Sequence, residues 1–171
     1  MCIRDRESLP PIRLRLGTTR GTNALLTRTG ARTLFVTTRG FKDILKIGNQ
    51  DRPDLFALDI KKYAPLYDLV FEASERIDTY GNILTPLDLE SVIQALENAK
   101  ASGIQSIAIC LMNAFACAQH ECIIEELARK IGFDDISRSS KVSPLIKIVS
   151  RADTTVLNLS LIHISEPTRP Y

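Results

Sequence analysis

The amino-acid sequence predicts an α/β fold, a mixed sheet with flanking helices, on three observations. Strand-like and helix-like segments alternate along the chain. One of them, IQSIAICLM from Ile104 to Met112, is almost wholly apolar, as the buried centre of such a sheet requires. An amphipathic, glycine-ended helix stands on each side of it, so helix, strand and helix follow one another from Thr85 to Gly132.

Taken in order, PIRLRLGTT alternates Ile12, Leu14 and Leu16 with Arg13 and Arg15, the pattern of a half-buried strand. TNALLTRTG reads as a short helix with Thr22 as N-cap and Gly30 as stop. RTLFVTT, Arg32 to Thr38, is rich in β-branched and aromatic residues and reads as a second strand. GFKDILKIG spaces Phe41, Ile44, Leu45 and Ile47 as a short helix closed by Gly48.

From Asn49 to Pro65 the periodicity fails, with Leu55 and Phe56 as isolated apolar anchors. A loop of that length is usually functional or bridges domains. YDLVFEASERI is extended, with Val70, Glu72, Ser74 and Arg76 offset from Leu69, Phe71 and Ala73, and Gly81–Asn82 marks a turn. Thr85, Pro86 and Asp88 stand close to a capping box and start a helix whose stripe is Val92, Ile93, Leu96 and Ala99, ending at Gly103. After the apolar strand, QHECIIEELARKIG forms a second helix on Ile123, Ile124, Leu127 and Ile131. A short strand is expected near Asp135 to Val142, and SPLIKIVSRADTTVLN shows no clear pattern.

At 171 residues the chain holds one domain, or one domain and part of another. No apolar run approaches the roughly 20 residues of a membrane span. The 22 basic and 20 acidic residues are interspersed, which argues against a nucleic-acid footprint.

Both ends look foreign. MCIRDR (residues 1–6) and LSLIHISEPTRPY (residues 159–171) resemble translated sequencing-adapter sequence, the alternative being a natural N-terminus and a short C-terminal strand. Residues 7–158 are then the native segment, a fragment cut at both ends. Its three cysteines, Cys110, Cys117 and Cys122, with no secretory signal, point to reduced thiols in the cytoplasm. Cys117, His120 and Cys122 are neighbours in sequence, but no CxxC pair or second cluster supplies further ligands, so no metal site is expected. Cys110 fits a small buried thiol.

RLGTTRGTNALLTRTG, residues 15–30, poses the sharpest question of function. A P-loop needs GxxxxGK[ST], but Thr22 stands five places after Gly17 and no lysine follows; GxGxxG is also absent. What remains is Thr18, Thr19, Thr22 and Asn23 at the mouth of a helix. There they can hold an anion or, more commonly, Thr22 simply caps the helix.

In its wider setting this stretch gains meaning. LGTTRGTNALLTRTGARTLFVTTRGFKDILKIGNQDRPDLFALDI is followed in order by ERID, GNILTPLD, SGIQSIAICLMNAF, His120–Glu121 and Ser143–Pro144, up to Asn158. This series resembles the N-terminal region of the hydantoinase/5-oxoprolinase family. The resemblance implies part of an actin-like or sugar-kinase-like ATPase fold. It implies an enzyme that opens a cyclic amide, 5-oxoproline or a hydantoin, using ATP with Mg2+. ATP would phosphorylate the amide oxygen and so activate a resonance-stabilised carbonyl toward water.

Leu16 occupies a position often His in hydantoinase-like members and apolar in oxoprolinase-like ones, which tilts the reading toward oxoprolinase. Nothing before Leu9 matches the family's glycine-rich phosphate-holding segment. The resemblance implies that Gly17, Thr18, Thr19, Thr22 and Asn23 contact the nucleotide. A small cyclic amide is the implied substrate, with a further C-terminal domain or a partner subunit completing the enzyme. A subunit of an acetone or acetophenone carboxylase is the alternative. As an isolated piece, the chain could instead act only as a docking module.

Arg39, Arg52 and Asp54 are candidates for substrate binding, the last two because long loops carry function. Asn113 is a catalytic candidate because ligands gather outside the carboxyl ends of strands. His120 and Glu121 are further candidates, although neighbours on a helix point in different directions and His120 equally suits a brace at the helix start. Arg151, Thr154 and Thr155 are family-like.

Overall fold

The computed structural model describes residues 31–49, 56 and 64–165, with side chains as far as Leu159. The segments read from 12 to 30, including the glycine–threonine stretch, lie outside these residues, as do Arg52 and Asp54. Within them the chain forms strand β1 (Thr33–Thr38), a single helical turn α1 (Ile44–Ile47), β2 (Leu69–Ala73), β3 (Arg76–Ile77) and β4 (Ile83–Thr85). Then come helix α2 (Leu89–Ala101), β5 (Ser106–Cys110), helix α3 (Gln119–Ile131), β6 (Asp135–Arg138), the turn α4 (Ser139–Val142) and helix α5 (Ile148–Ser165).

β2, β1, β5 and β6 make a four-stranded sheet in that order, every pairing parallel, while β3 and β4 form a separate antiparallel pair. All six residues of β1 and all five of β5 are buried, because helices cover both faces. Side chains alternate between those faces with the period of a strand. Leu34, Val36, Ile107 and Ile109 meet Val92, Leu96 and Ala99 of α2 and Ile124 and Ala128 of α3. Phe35, Ala108 and Cys110 point the other way and pack on Ala152, Val156 and Leu159 of α5. The small Ala108 and Cys110 let α5 lie close to the central strand.

Several expected boundaries move for local reasons. GFKDILKIG gives only the one turn α1, since residues 41–43 belong to the reversal that leaves β1. Helix α2 starts three residues later than the capping pattern suggests. Its N-cap is Asp88, whose carboxylate accepts from the Ser91 amide at 3.4 Å. Thr85 instead pairs with Arg76 across the antiparallel pair, which suits a residue whose following proline disfavours helical backbone. The strand foreseen near Asp135 to Val142 stops at Arg138 and its second half turns into α4. The unpatterned SPLIKIVSRADTTVLN becomes α5, which continues as helix through Leu159 to Ser165 rather than as a strand.

Candidate functional site at the carboxyl ends of the strands

In a parallel α/β sheet, ligands bind outside the carboxyl ends of the strands. Here those ends carry two networks of buried polar side chains.

The first joins β1, β2, β5 and α3. Thr38, the last residue of β1, accepts the Met112 amide at 2.8 Å and donates its hydroxyl proton to Oε1 of Glu75, just beyond β2. The other carboxylate oxygen, Oε2, lies 2.8 Å from Nδ1 of His120 in the first turn of α3. Both side chains are buried, His120 3% exposed and Glu75 0%.

The second surrounds Leu111. Oε1 of Glu121 accepts the Leu111 amide at 3.0 Å and the Ser139 hydroxyl at 2.6 Å, while Oε2 accepts the Ser140 amide at 2.9 Å. The Leu111 carbonyl accepts from Nη2 of Arg151 in α5. Arg151 also donates Nη1 to the Leu145 carbonyl at 3.4 Å, and its Nε has no partner among the described residues. Glu121 and Arg151 are both wholly buried. Leu111, the residue that follows the central strand, is therefore held at its N–H by a carboxylate and at its C=O by a guanidinium. Charge-assisted bonds of this kind are the strong ones.

Asn113 comes next, with φ of 55°, the one non-glycine residue in the left-handed region among the described residues. Strained backbone of this sort persists only where its surroundings fix it. Its Nδ2 donates to the Ile77 carbonyl at 2.9 Å and so ties the strand end to β3. The expected trio is thus gathered at one edge of the sheet, but in separate roles. His120 pairs with Glu75 rather than with its neighbour Glu121, Glu121 is occupied by α4, and Asn113 braces the β3–β4 pair.

Arg39 is exposed beyond β1, its amide bonded to the Ala73 carbonyl at 3.0 Å. Nearby, a cavity of about 520 Å³ is lined by Phe41, Lys42, Ile44, Ile47 and Glu72 among others. Oε1 of Glu72 accepts the Gly40 amide at 2.8 Å and the Lys42 amide at 3.3 Å, closing the turn that forms the cavity wall. Thr154 and Thr155 bond back to carbonyls within α5, those of Ser150 and Arg151.

Among the described residues no three His, Cys, Asp or Glu side chains are grouped so as to hold a metal ion. His120 is committed to Glu75, and the Cys122 sulfur accepts from Nη1 of Arg138 at 2.6 Å. Cys110 is buried as its apolar strand required. Burial pushes its thiol up to about 11, and the nearby Arg151 guanidinium offsets only part of that. No helix of the described residues is long and apolar enough to cross a membrane.

Glu75, Thr38, Ser139 and the burial of Arg151 were not visible in sequence. Glu75 sits in the break between two strands, where period-two alternation carries no information, and its partner lies 45 residues away. The one available signal was the oddity of SRAD, a charged pair inside an otherwise mild helix.

Comparison with known proteins places this architecture. Residues 10–132 match the family described as the hydantoinase/oxoprolinase N-terminal region. A 5-oxoprolinase of Saccharomyces cerevisiae is 41% identical over 175 residues, covering 86% of this chain and 14% of its own. The acetophenone carboxylase gamma subunit of Aromatoleum aromaticum is 32% identical over 174 residues, covering 91% of this chain and 24% of its own. The crystal structure of an ATP-dependent caprolactamase from Pseudomonas jessenii superposes with a TM-score of 0.74 at 28% identity, over 85% of this chain and 22% of that one. The chain spans 13% to 14% of the length of the first curated relatives it matches.

Proposed function

Because the chain belongs to the hydantoinase/oxoprolinase N-terminal family, we propose that it is part of a cytoplasmic, ATP-dependent enzyme that opens a cyclic amide, 5-oxoproline or a hydantoin. The observation that carries this reading is the 41% identity to a 5-oxoprolinase over 86% of the chain. The likeness to a caprolactamase described as ATP-dependent supports both the nucleotide and the cyclic-amide substrate class.

Within this reading the carboxyl ends of β1, β2 and β5 form one wall of the cleft. The described charged groups there are largely spent on the fold: Glu75 on His120, Glu121 on α4 and Leu111, Glu72 on the turn after β1. On the family resemblance, nucleotide contact is assigned to Gly17, Thr18, Thr19, Thr22 and Asn23, whose hydroxyls and amides suit phosphate oxygens, with Mg2+ accompanying the nucleotide. Arg39, beside the cavity beyond β1, and Arg52 and Asp54 are assigned to the substrate side. A further domain or subunit completes the active enzyme, and the isolated 171-residue chain is inactive.

The test is ADP release by the complete gene product with 5-oxoproline or a hydantoin. Release that depends on the ring compound is the expected result. A second reading, a carboxylase subunit, is favoured by the acetophenone carboxylase match. Release with a ketone and bicarbonate but with no cyclic amide would select it instead.

A further inference from the structure

Among the exposed large apolar side chains of the described residues, three fall on the β3–β4 ribbon. Tyr80, in its turn, is 89% exposed, and Ile83 and Leu84 of β4 are 44% and 65% exposed. Single exposed apolar residues are ordinary, whereas a group of them marks a contact. Successive side chains of a strand point to opposite faces, so Ile83 and Leu84 bare apolar surface on both sides of β4. A strand with one face in water would carry polar side chains on that face. Here the whole stretch from Thr79 to Leu87 lacks a charge, in a chain that is 25% charged.

The ribbon is nonetheless held in one shape. Oδ1 of Asp78 accepts the amides of Tyr80 and Asn82, both at 2.8 Å, and Oδ2 accepts from Nδ2 of Asn82 at 2.9 Å. The Asp78 amide donates to the Asn82 carbonyl at 2.9 Å. On the inner side Ile77 is buried, and its carbonyl accepts from Nδ2 of Asn113. Gly81, with φ of 89°, sits against Ala116 and Cys117. A turn fixed in this way loses little conformational entropy when a partner closes on it, so its outer surface is preorganised for contact. Two strands alone make a marginal sheet, which a covering element would complete.

The proportions of the relatives indicate what that element is. The family match is to an N-terminal region, the first curated relatives are covered over 13% to 14% of their length, and the caprolactamase over 22% of its chain. The bulk of each lies outside the part that this chain matches. Resting on the reading that a further domain completes the enzyme, and on no choice of ring, we infer that the C-terminal remainder of the same polypeptide docks on the outer surface of the β3–β4 ribbon. It lays uncharged, apolar side chains on Tyr80, Ile83 and Leu84. Because Asn113 bonds the ribbon to the carboxyl edge of the sheet, this contact flanks the candidate site.

One substitution read in two proteins tests this. In the 171-residue chain, Leu84→Lys should leave the melting temperature within about 2 °C of wild type, because a surface replacement that breaks no special feature changes little. A larger drop shows that residues of this chain itself cover the ribbon, and overturns the assignment. Sedimentation of the same chain should give a monomer with either residue at position 84. A wild-type dimer that Leu84→Lys dissociates gives the face to a second copy and overturns it equally.

In the complete gene product, Leu84→Lys should speed protease cleavage between this region and the remainder by about tenfold, the effect of losing one apolar anchor of an interface. Leu84→Met, which keeps an apolar side chain, should leave the cleavage rate unchanged. Wild-type cleavage of the Leu84→Lys protein overturns the contact. A benzophenone side chain in place of Leu84, irradiated in the complete protein, should cross-link to the part of the same polypeptide beyond this region. A cross-link only to another polypeptide, or none, overturns the occupant. None of these readouts needs turnover, so ADP release with ring compounds judges the activity separately.

Discussion

The two ends of the same sheet handle polarity in opposite ways. At the amino ends the buried polar groups are neutral: Thr33 Oγ1 lies 2.8 Å from Ser106 Oγ and donates to the Ala31 carbonyl at 2.9 Å. Charge there stays at the surface, where Arg32 and Asp68 approach to 3.7 Å with side chains 55% and 42% exposed. At the carboxyl ends four ionisable side chains, Glu75, His120, Glu121 and Arg151, are all buried. Burying a charge is expensive unless it is paired and hydrogen-bonded. The amino ends show that this fold can finish a sheet with hydroxyls alone. The charged groups at the other end are therefore not demanded by the architecture, and their cost is concentrated where a ligand would sit.

The contrast can be broken most severely at Glu121. Glu121→Ala strips three donors, at Leu111, Ser139 and Ser140, of their acceptor. It should cost about 3–5 kcal/mol, read as a lower urea midpoint, because the donors stay buried and unpaired. A loss no greater than that of an amino-end hydroxyl would erase the distinction between the ends.

Next in size is an alkaline effect at Cys110, which lies under the same network. Its folded-state pKa is raised from 9.0 to about 11, so the unfolded chain loses this proton first as pH rises. Its contribution to stability is full below 9.0 and is lost as pH climbs toward about 11. The loss is on the order of 2–3 kcal/mol at about 1.4 kcal/mol per unit. Denaturation of the wild type against Cys110→Ala across that window isolates the effect, since the variant lacks it.

At the amino ends Thr33→Val should cost only about 1 kcal/mol, the net worth of an ordinary hydrogen bond. The double change Thr33→Val with Ser106→Ala should cost less than the sum of the two singles, because no hydroxyl is left without its partner. Smallest of all, Arg32→Ala removes an exposed ion pair and a bond to the Ser102 carbonyl, and should shift stability by about 0.5 kcal/mol or less. A thermal melt in low and high salt checks that this difference also fades with screening.

Much of the framework was legible because it is periodic. The apolar run around Ile107 and Ile109 announced the central strand, and the stripes through Val92 and Leu96 and through Ile124 announced the two helices on its larger-residue face. Gly132, in the left-handed conformation with φ of 99°, stops α3 where the sequence placed the stop. Helix α5 was not legible. Its buried face sets Arg151 and Thr155 beside the apolar row Ala152, Val156 and Leu159, which blurs the stripe, and it packs against the small Ala108 and Cys110. The start of α2 was misplaced because Thr85 serves a strand pairing that a cap pattern does not encode.

The sequence by itself determined the α/β class, the central strand, the two helices of one face and, through its ordered motifs, the family. These rest on local periodicity and on residue types at fixed spacing, which need no knowledge of what lies opposite. Only the tertiary structure decided which polar groups meet: Glu75 with His120 across 45 residues, Arg151 with Leu111 across 40, and Glu121 turned away from its own neighbour. Such pairings follow from the parallel order β2-β1-β5-β6, which brings distant strand ends together. Burial then selects, among many charged residues of similar appearance, the few whose partners must be found.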